Sequence, residues 1–219
     1  ASAVADSAMM LLMATARHLL QADRFVRAGG WQEQWRVDTP TISGKRLGIL
    51  GLGTIGSRIA HRAAHGFDVE IGYHNRRAVP GSSYRYFDNL IELATWADFL
   101  IVAAPGGAGT RHLVNADVLT ALGPQGYLVN IGRGTVVDTA ALIDALQSKR
   151  IAGAGLDVVE GEPSIPPQLP ELLQFDNVVV TPHCAGRAPE ARTAATALIL
   201  ANLNAHFAGK PLPSPVSLK

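Results

Sequence analysis

KRLGILGLGTIGSRIAHRAAHG, residues 45–66, decides the fold. RLGIL is a short unbroken apolar run, the mark of a strand buried on both faces. GLGTIG, Gly51–Gly56, matches G-x-G-x-x-G, and SRIAHRAAHG continues with helical spacing. The match alone is weak; a strand before it and a helix after it make it specific for a dinucleotide-binding turn. Gly51 allows the tight turn, Gly53 lets the backbone approach a pyrophosphate, and Gly56 lets helix and strand pack closely. The helix start offers N–H groups and a positive dipole end to the phosphates.

Outward from this stretch the same alternation continues. DVEIGY, DFLIVAA, YLVNIG, AGAGLDV and NVVVT read as strands, and residues 55–65, 89–96, 116–122 and 139–149 as the helices between them. The expected fold is α/β: a doubly wound, six-stranded parallel sheet of the Rossmann type with helices on both faces. A further helix is expected over residues 189–207, followed by a proline-broken tail, KPLPSPVSLK. Before the sheet, residues 2–21 carry Val4, Ala8, Leu11, Leu12, Leu19 and Leu20 at the spacing of one helix with a wide buried face. RAGGWQEQWRVDTPTISG then reads as an extended arm; Trp31 and Trp35 either meet a partner or fold back on their own domain.

Composition narrows the classes. Of 219 residues 47% are hydrophobic and 17% charged, enough for a large core, and the net charge of +1 gives no reason to expect nucleic acid or a membrane surface as partner. The run AMMLLMA is too short to span a bilayer. With one cysteine, Cys184, no disulfide can form within the chain, which fits a reducing, cytoplasmic setting. Cys184 reads as a small buried hydrophobe. His61 and His65 have the spacing of a zinc-protease helix, but Arg62 replaces the glutamate and no third ligand is evident, so no metal site is expected.

YHNRR, Tyr73–Arg77, follows the second strand, where an NAD site places a carboxylate on the adenosine ribose. Asn75 removes the charge that would repel a 2′-phosphate, and Arg76 or Arg77 can hold that phosphate with paired hydrogen bonds. The expected cofactor is therefore NADP(H), with NAD(H) possible; two solvated surface arginines are the other reading. Three later stretches, NIGRGTVVD, LDVVEGEP and TPHCAG, follow strands at the same sheet edge and bring Arg133, Glu162 and His183. An arginine can clamp a carboxylate and polarise the carbonyl beside it. A histidine can hand that carbonyl a proton as hydride arrives, and a carboxylate bonded to a histidine holds its ring and favours the charged form. Singly, each could be a turn or loop residue.

In this order and spacing, GLGTIG, NIGRGTVVD, GLDVVEGEP and VVVTPHCAG resemble the D-isomer-specific 2-hydroxyacid dehydrogenases, from VADSAMMLLMATAR to FAGKPLP. YHNRR, TRHLVN and ALGPQGYLVNIGRG are most similar to the glyoxylate/hydroxypyruvate and hydroxyphenylpyruvate reductases of that family. The resemblance implies NADPH-dependent reduction of a small 2-keto acid to the D-2-hydroxy acid. Arg133 would bind substrate, His183 would be the acid or base, and Glu162 would orient it. Leu52, Thr54 and Ile55 would lie along the pyrophosphate, Pro105, Thr110 and Ile131 near the cofactor, and Asp157 at the nicotinamide carboxamide.

The resemblance also implies a homodimer. Residues 1–22 would be an interdomain helix, 23–44 a dimerisation arm, 45–183 the dinucleotide-binding domain, and 184–219 a helix returning to a second, flavodoxin-like substrate domain. Family members carry that domain ahead of the opening helix, so the chain is expected to be a piece of a longer protein. PGGAGT, residues 105–110, is richer in glycine than its counterparts and is expected to be mobile or to admit a bulkier group. The alternatives are an NAD-dependent dehydrogenase of the same family and a dinucleotide-sensing binding protein.

Overall fold

Seven apolar runs hydrogen-bond side by side in one all-parallel sheet in the computed structural model, which describes residues 1–216. The strands are β1 (Arg46–Leu50), β2 (Glu70–His74), β3 (Arg85–Phe87), β4 (Phe99–Val102), β5 (Tyr127–Asn130), β6 (Gly153–Leu156) and β7 (Val178–Val180). Their order is β3-β2-β1-β4-β5-β6-β7. The direction of winding reverses between β1 and β4, and ligands of such sheets bind at that switch point. The six expected strands are all present. The seventh, β3, is an edge strand of three residues, too short for a periodic signal; Arg85 lies over the rings of Phe87 and Trp96, 4.6 and 5.7 Å from their centroids.

The helices are α1 (Ser2–Ala16), α2 (Leu19–Arg27), α3 (Thr54–Phe67), α4 (Leu90–Trp96), α5 (Ala116–Leu122), α6 (Thr139–Gln147), the single turn α7 (Leu169–Leu172) and α8 (Pro189–Phe207). Side chains of α4, α5 and α6 pack on one face of the sheet against Leu50, Leu100, Val102 and Leu128. Those of α1 and α3 pack on the other, against Leu47, Ile49, Ile101 and Val129. Successive strand residues point to opposite faces, so alternate members of the same runs serve the two cores. Asn89, Asn115 and Asp138 cap α4, α5 and α6, each side chain accepting from an N–H of the first turn.

The opening segment is not the single helix its apolar spacing suggests. His18, at φ 50°, ends α1 and redirects the chain, so Leu19 and Leu20 are exposed while Leu11 and Leu12 are buried. The new direction is held by Arg24, 2.8 Å from Asp176, and by Gln21, which donates to the Asp176 carbonyl. In the arm, Phe25 and Trp35 rings lie 5.4 Å apart, whereas Trp31 is 79% exposed. Thus Trp35 packs on α2 while still partly exposed, and Trp31 stands out into solvent. None of the residues of α8 is buried. The last three residues of the tail lie outside the described residues. Among the described residues, no helix is long and apolar enough to cross a membrane.

Candidate active site

Each parallel strand delivers its following loop to the same edge of the sheet. The loops after β1, β4, β5, β6 and β7 meet there around a cleft of about 760 Å³. The volume falls within the range of small-molecule and cofactor sites, roughly 300–1,000 Å³. Gly53, Thr54, Ile55, Pro105, Ile131, Arg133, Glu162 and His183 all line it. These are eight of the residues singled out from the sequence, and they come from different loops.

One end of the cleft is the glycine loop. Gly51 has φ 103°, and a Cβ there would stand 2.8 Å from the Ala104 backbone nitrogen. A Cβ on Gly56 would run into the Gly51 carbonyl oxygen, while one on Gly53 would meet no atom within 4 Å. The three glycines thus divide their work: two permit the turn and its packing, and Gly53 leaves a bare backbone facing the cleft. No side chain caps α3, and by the geometry of any helix start the N–H groups of Thr54, Ile55 and Gly56 have no intrahelical acceptor. This cradle suits a pyrophosphate.

The other end holds the titratable groups. His183 Nδ1 lies 2.6 Å from Glu162 Oε2, an N–H donating to a carboxylate. Glu162 Oε1 accepts from the Val159 N–H at 2.8 Å, so the carboxylate is fixed by its own loop before it fixes the histidine. His183 sits at φ 49°, its N–H donating to the carbonyls of Asp157 and Thr181. With Nδ1 committed to Glu162, Nε2 is the ring nitrogen left for proton transfer. Arg133 is exposed on the cleft wall, Nη1 donating to the Gly132 carbonyl at 2.7 Å. Its loop is shaped by Asn130, a buried residue at the end of β5. Asn130 accepts from Gly132 N–H and donates to the Arg133 carbonyl, both at 3.1 Å.

Several expected contacts lie elsewhere. Asp157 is 2% exposed and does not line the cleft. Its Oδ1 accepts from Thr181 Oγ1 at 2.5 Å and Cys184 N–H at 2.9 Å, and its Oδ2 from Ala185 N–H at 2.9 Å. It forms the seat under the His183 loop. The Leu52 side chain is buried in the core, and its N–H donates to Asn75 Oδ1 at 2.7 Å. Thr110 is likewise turned to its own loop, its hydroxyl donating to the carbonyls of Pro105 at 2.8 Å and Gly107 at 3.1 Å. This pins PGGAGT into a short turn. Arg76 and Arg77 are exposed on the loop after β2, with no carboxylate partner among the described residues. Cys184 is half-buried rather than fully buried.

One cluster escaped the sequence reading. His112 Nε2 lies 3.0 Å from both oxygens of Glu160, and Arg111 Nη2 lies 2.7 Å from Glu160 Oε1. The His112 N–H also donates to the Thr135 carbonyl. The cluster therefore ties together the loops after β4, β5 and β6 that carry Pro105, Arg133 and Glu162. TRHLVN held the histidine in plain sight, but nothing local pairs it with a residue 48 positions away.

Comparison with known proteins agrees with this arrangement. Residues 9–185 match the family model described as D-isomer specific 2-hydroxyacid dehydrogenase, NAD binding domain. The chain is 45% identical over 213 residues to a hydroxyphenylpyruvate reductase of Plectranthus scutellarioides, and equally to a 2-ketogluconate reductase of Gluconobacter oxydans. In each case 97% of this chain and 67% of the relative is covered, so the chain spans about two thirds of their length. Among solved structures it resembles an NADPH-dependent glyoxylate/hydroxypyruvate reductase of Sinorhizobium meliloti in complex with NADP and malonate. The TM-score is 0.90 and the identity 44%, over 99% of this chain and 67% of that one. With a cleft at the switch point and a family match over most of its length, the chain belongs to the D-isomer specific 2-hydroxyacid dehydrogenase family.

Proposed function

We propose that the chain is the cofactor-binding part of an NADPH-dependent reductase of small 2-keto acids, of the glyoxylate or hydroxypyruvate type. The observation that carries the reading is the His183–Glu162 pair, 2.6 Å apart, on the same cleft as Arg133 and the glycine loop. A nicotinamide dinucleotide, when bound, supplies the hydride. Arg133 holds the substrate carboxylate and polarises the neighbouring carbonyl. His183 gives that carbonyl oxygen a proton from Nε2, while Glu162 accepts the Nδ1 hydrogen bond and steadies the charged ring. In the reverse direction the same nitrogen takes the proton.

The exposed Arg76 and Arg77 support the phosphorylated cofactor, since a guanidinium pair suits a 2′-phosphate, and the Sinorhizobium relative is NADPH-dependent and was crystallised with NADP. Relatives of equal identity carry the names of different substrates. A fluorescence titration of the chain with NADPH and NADH tests the cofactor. Much tighter NADPH binding, lost in an Arg76→Ala/Arg77→Ala double variant, is the expected outcome; equal or better NADH binding moves the reading to an NAD-linked dehydrogenase. Turnover of NADPH with glyoxylate or hydroxypyruvate by the whole protein separates an enzyme from a sensor, which would bind and turn over negligibly.

The exposed Trp31 supports a homodimer formed through residues 23–44. Sedimentation equilibrium is expected to give twice the chain mass, and Trp31→Glu to shift it toward the monomer.

A further inference from the structure

Two tyrosines grip the loop that carries Arg76 and Arg77, and neither touches the cleft. Tyr86, on edge strand β3, donates its hydroxyl to the Asn75 carbonyl at 3.2 Å. Tyr73, on β2, receives at its hydroxyl oxygen the N–H of Val79 at 2.9 Å. They are register partners across the β2–β3 pair, with ring centroids 5.4 Å apart. Tyr73 is 1% exposed, so its hydroxyl has exchanged water for one backbone N–H. Between these two grips, Asn75 Oδ1 takes the Leu52 N–H of the glycine loop. The segment from Asn75 to Val79 is thus fixed at its start, at its end and against the phosphate loop, while the arginines it bears stay exposed.

Long cationic side chains on a loose loop would lose much of their attraction for a phosphate to the ordering of loop and rotamers; a loop ordered beforehand avoids most of that cost. We propose that Tyr86 and Tyr73 are positioning residues for dinucleotide specificity: they hold the Asn75–Val79 backbone so that Arg76 and Arg77 present a ready-made site to a 2′-phosphate. The inference rests on the reading that this loop faces the 2′-phosphate of NADP(H). It assigns part of the specificity to the sheet edge, through β3.

The test compares dissociation constants of the 219-residue chain for NADPH and NADH, by fluorescence titration, in wild type and in Tyr86→Phe. Removing the hydroxyl is expected to weaken NADPH about three- to tenfold, the range one hydrogen bond covers, and to leave NADH within about twofold. In the Arg76→Ala/Arg77→Ala background the same substitution should have no further effect on the ratio, because the groups being positioned are gone. Tyr73→Phe acts at the other end of the loop and is expected to shift the ratio in the same direction, which keeps the test open if one variant folds poorly. Weakening of both dinucleotides alike, or an unchanged ratio in both variants beside a wild type that prefers NADPH, overturns the proposal and leaves the cofactor reading standing. A wild type with no preference removes the cofactor reading and this inference with it.

Discussion

Gly53 and Gly56 stand three residues apart in one motif, yet their neighbourhoods make opposite demands. Gly56→Ala drives a methyl group into the Gly51 carbonyl, and overpacking against rigid backbone is expected to cost on the order of 3 kcal/mol. Gly53→Ala meets no protein atom and keeps an ordinary φ of −94°. Its melting temperature is expected to stay near wild type while dinucleotide affinity falls at least tenfold, because the methyl group faces the cleft. Thermal unfolding and titration on the two variants check this; a Gly53→Ala protein that binds as wild type would sink the assignment of that face to the pyrophosphate. At His183 the dependence is on a neighbour. Glu162→Ala releases the ring and leaves the Val159 N–H without its acceptor. Turnover is expected to drop on the order of a hundredfold, the usual reach of positioned acid–base catalysis, with a smaller change in cofactor affinity. The glycines, Arg133, Glu162 and His183 were legible in the sequence because short motifs carry them. The burial of Asp157 and the grip of Thr110 on its own loop were not, since each is decided by partners a motif does not name.

Among the elements, those with a strong local signal were readable: six runs as strands, and α5 and α8 to the residue. What the sequence hid was tertiary. The three residues of β3 become a strand only because β2 lies beside them. The break at His18 follows from a left-handed residue and from the Asp176 anchor on a loop far along the chain. The N-terminal ends of the two central strands have their own long-range tie. Arg46 opens β1 and meets Asp98, just ahead of β4, through its N–H at 2.9 Å and its guanidinium at 3.2 Å. Burial would raise the Asp98 carboxyl, but the Arg46 hydrogen bonds outweigh it and hold the group below the ordinary Asp range. A carboxyl lowered in the folded state stabilises fully above its unfolded pKa, about 3.9, and loses that contribution as pH falls through the lower folded value. The stability gap between wild type and Asp98→Asn is therefore expected to be about 1 kcal/mol at neutral pH and to close as pH falls through the lowered folded-state pKa of Asp98. Urea denaturation across that range measures it, and a gap that persists in acid would rule out the ion pair as its source.

On the scale of the whole molecule, one sheet edge holds the candidate site and the rest holds that edge still. The doubly wound class and the placing of the cleft follow from strand–helix alternation and the switch-point rule, so both were legible before any coordinate. The His112–Glu160 tie was not, because it joins loops that meet only once the sheet is assembled. The candidate site is carried by loops, which ordinarily open more readily than the strands beneath them. The loop behind β7 departs from that habit. The backbone N–H groups of Cys184 and Ala185 both end on the carboxylate of Asp157, a residue almost closed to water. In deuterated solvent these two amides should keep their protons as long as those of β5, releasing them only when the entire chain unfolds, while the amides of Arg76 and Arg77 trade theirs early. The residue assigned to proton transfer would then stand on one of the slowest-exchanging stretches of the molecule.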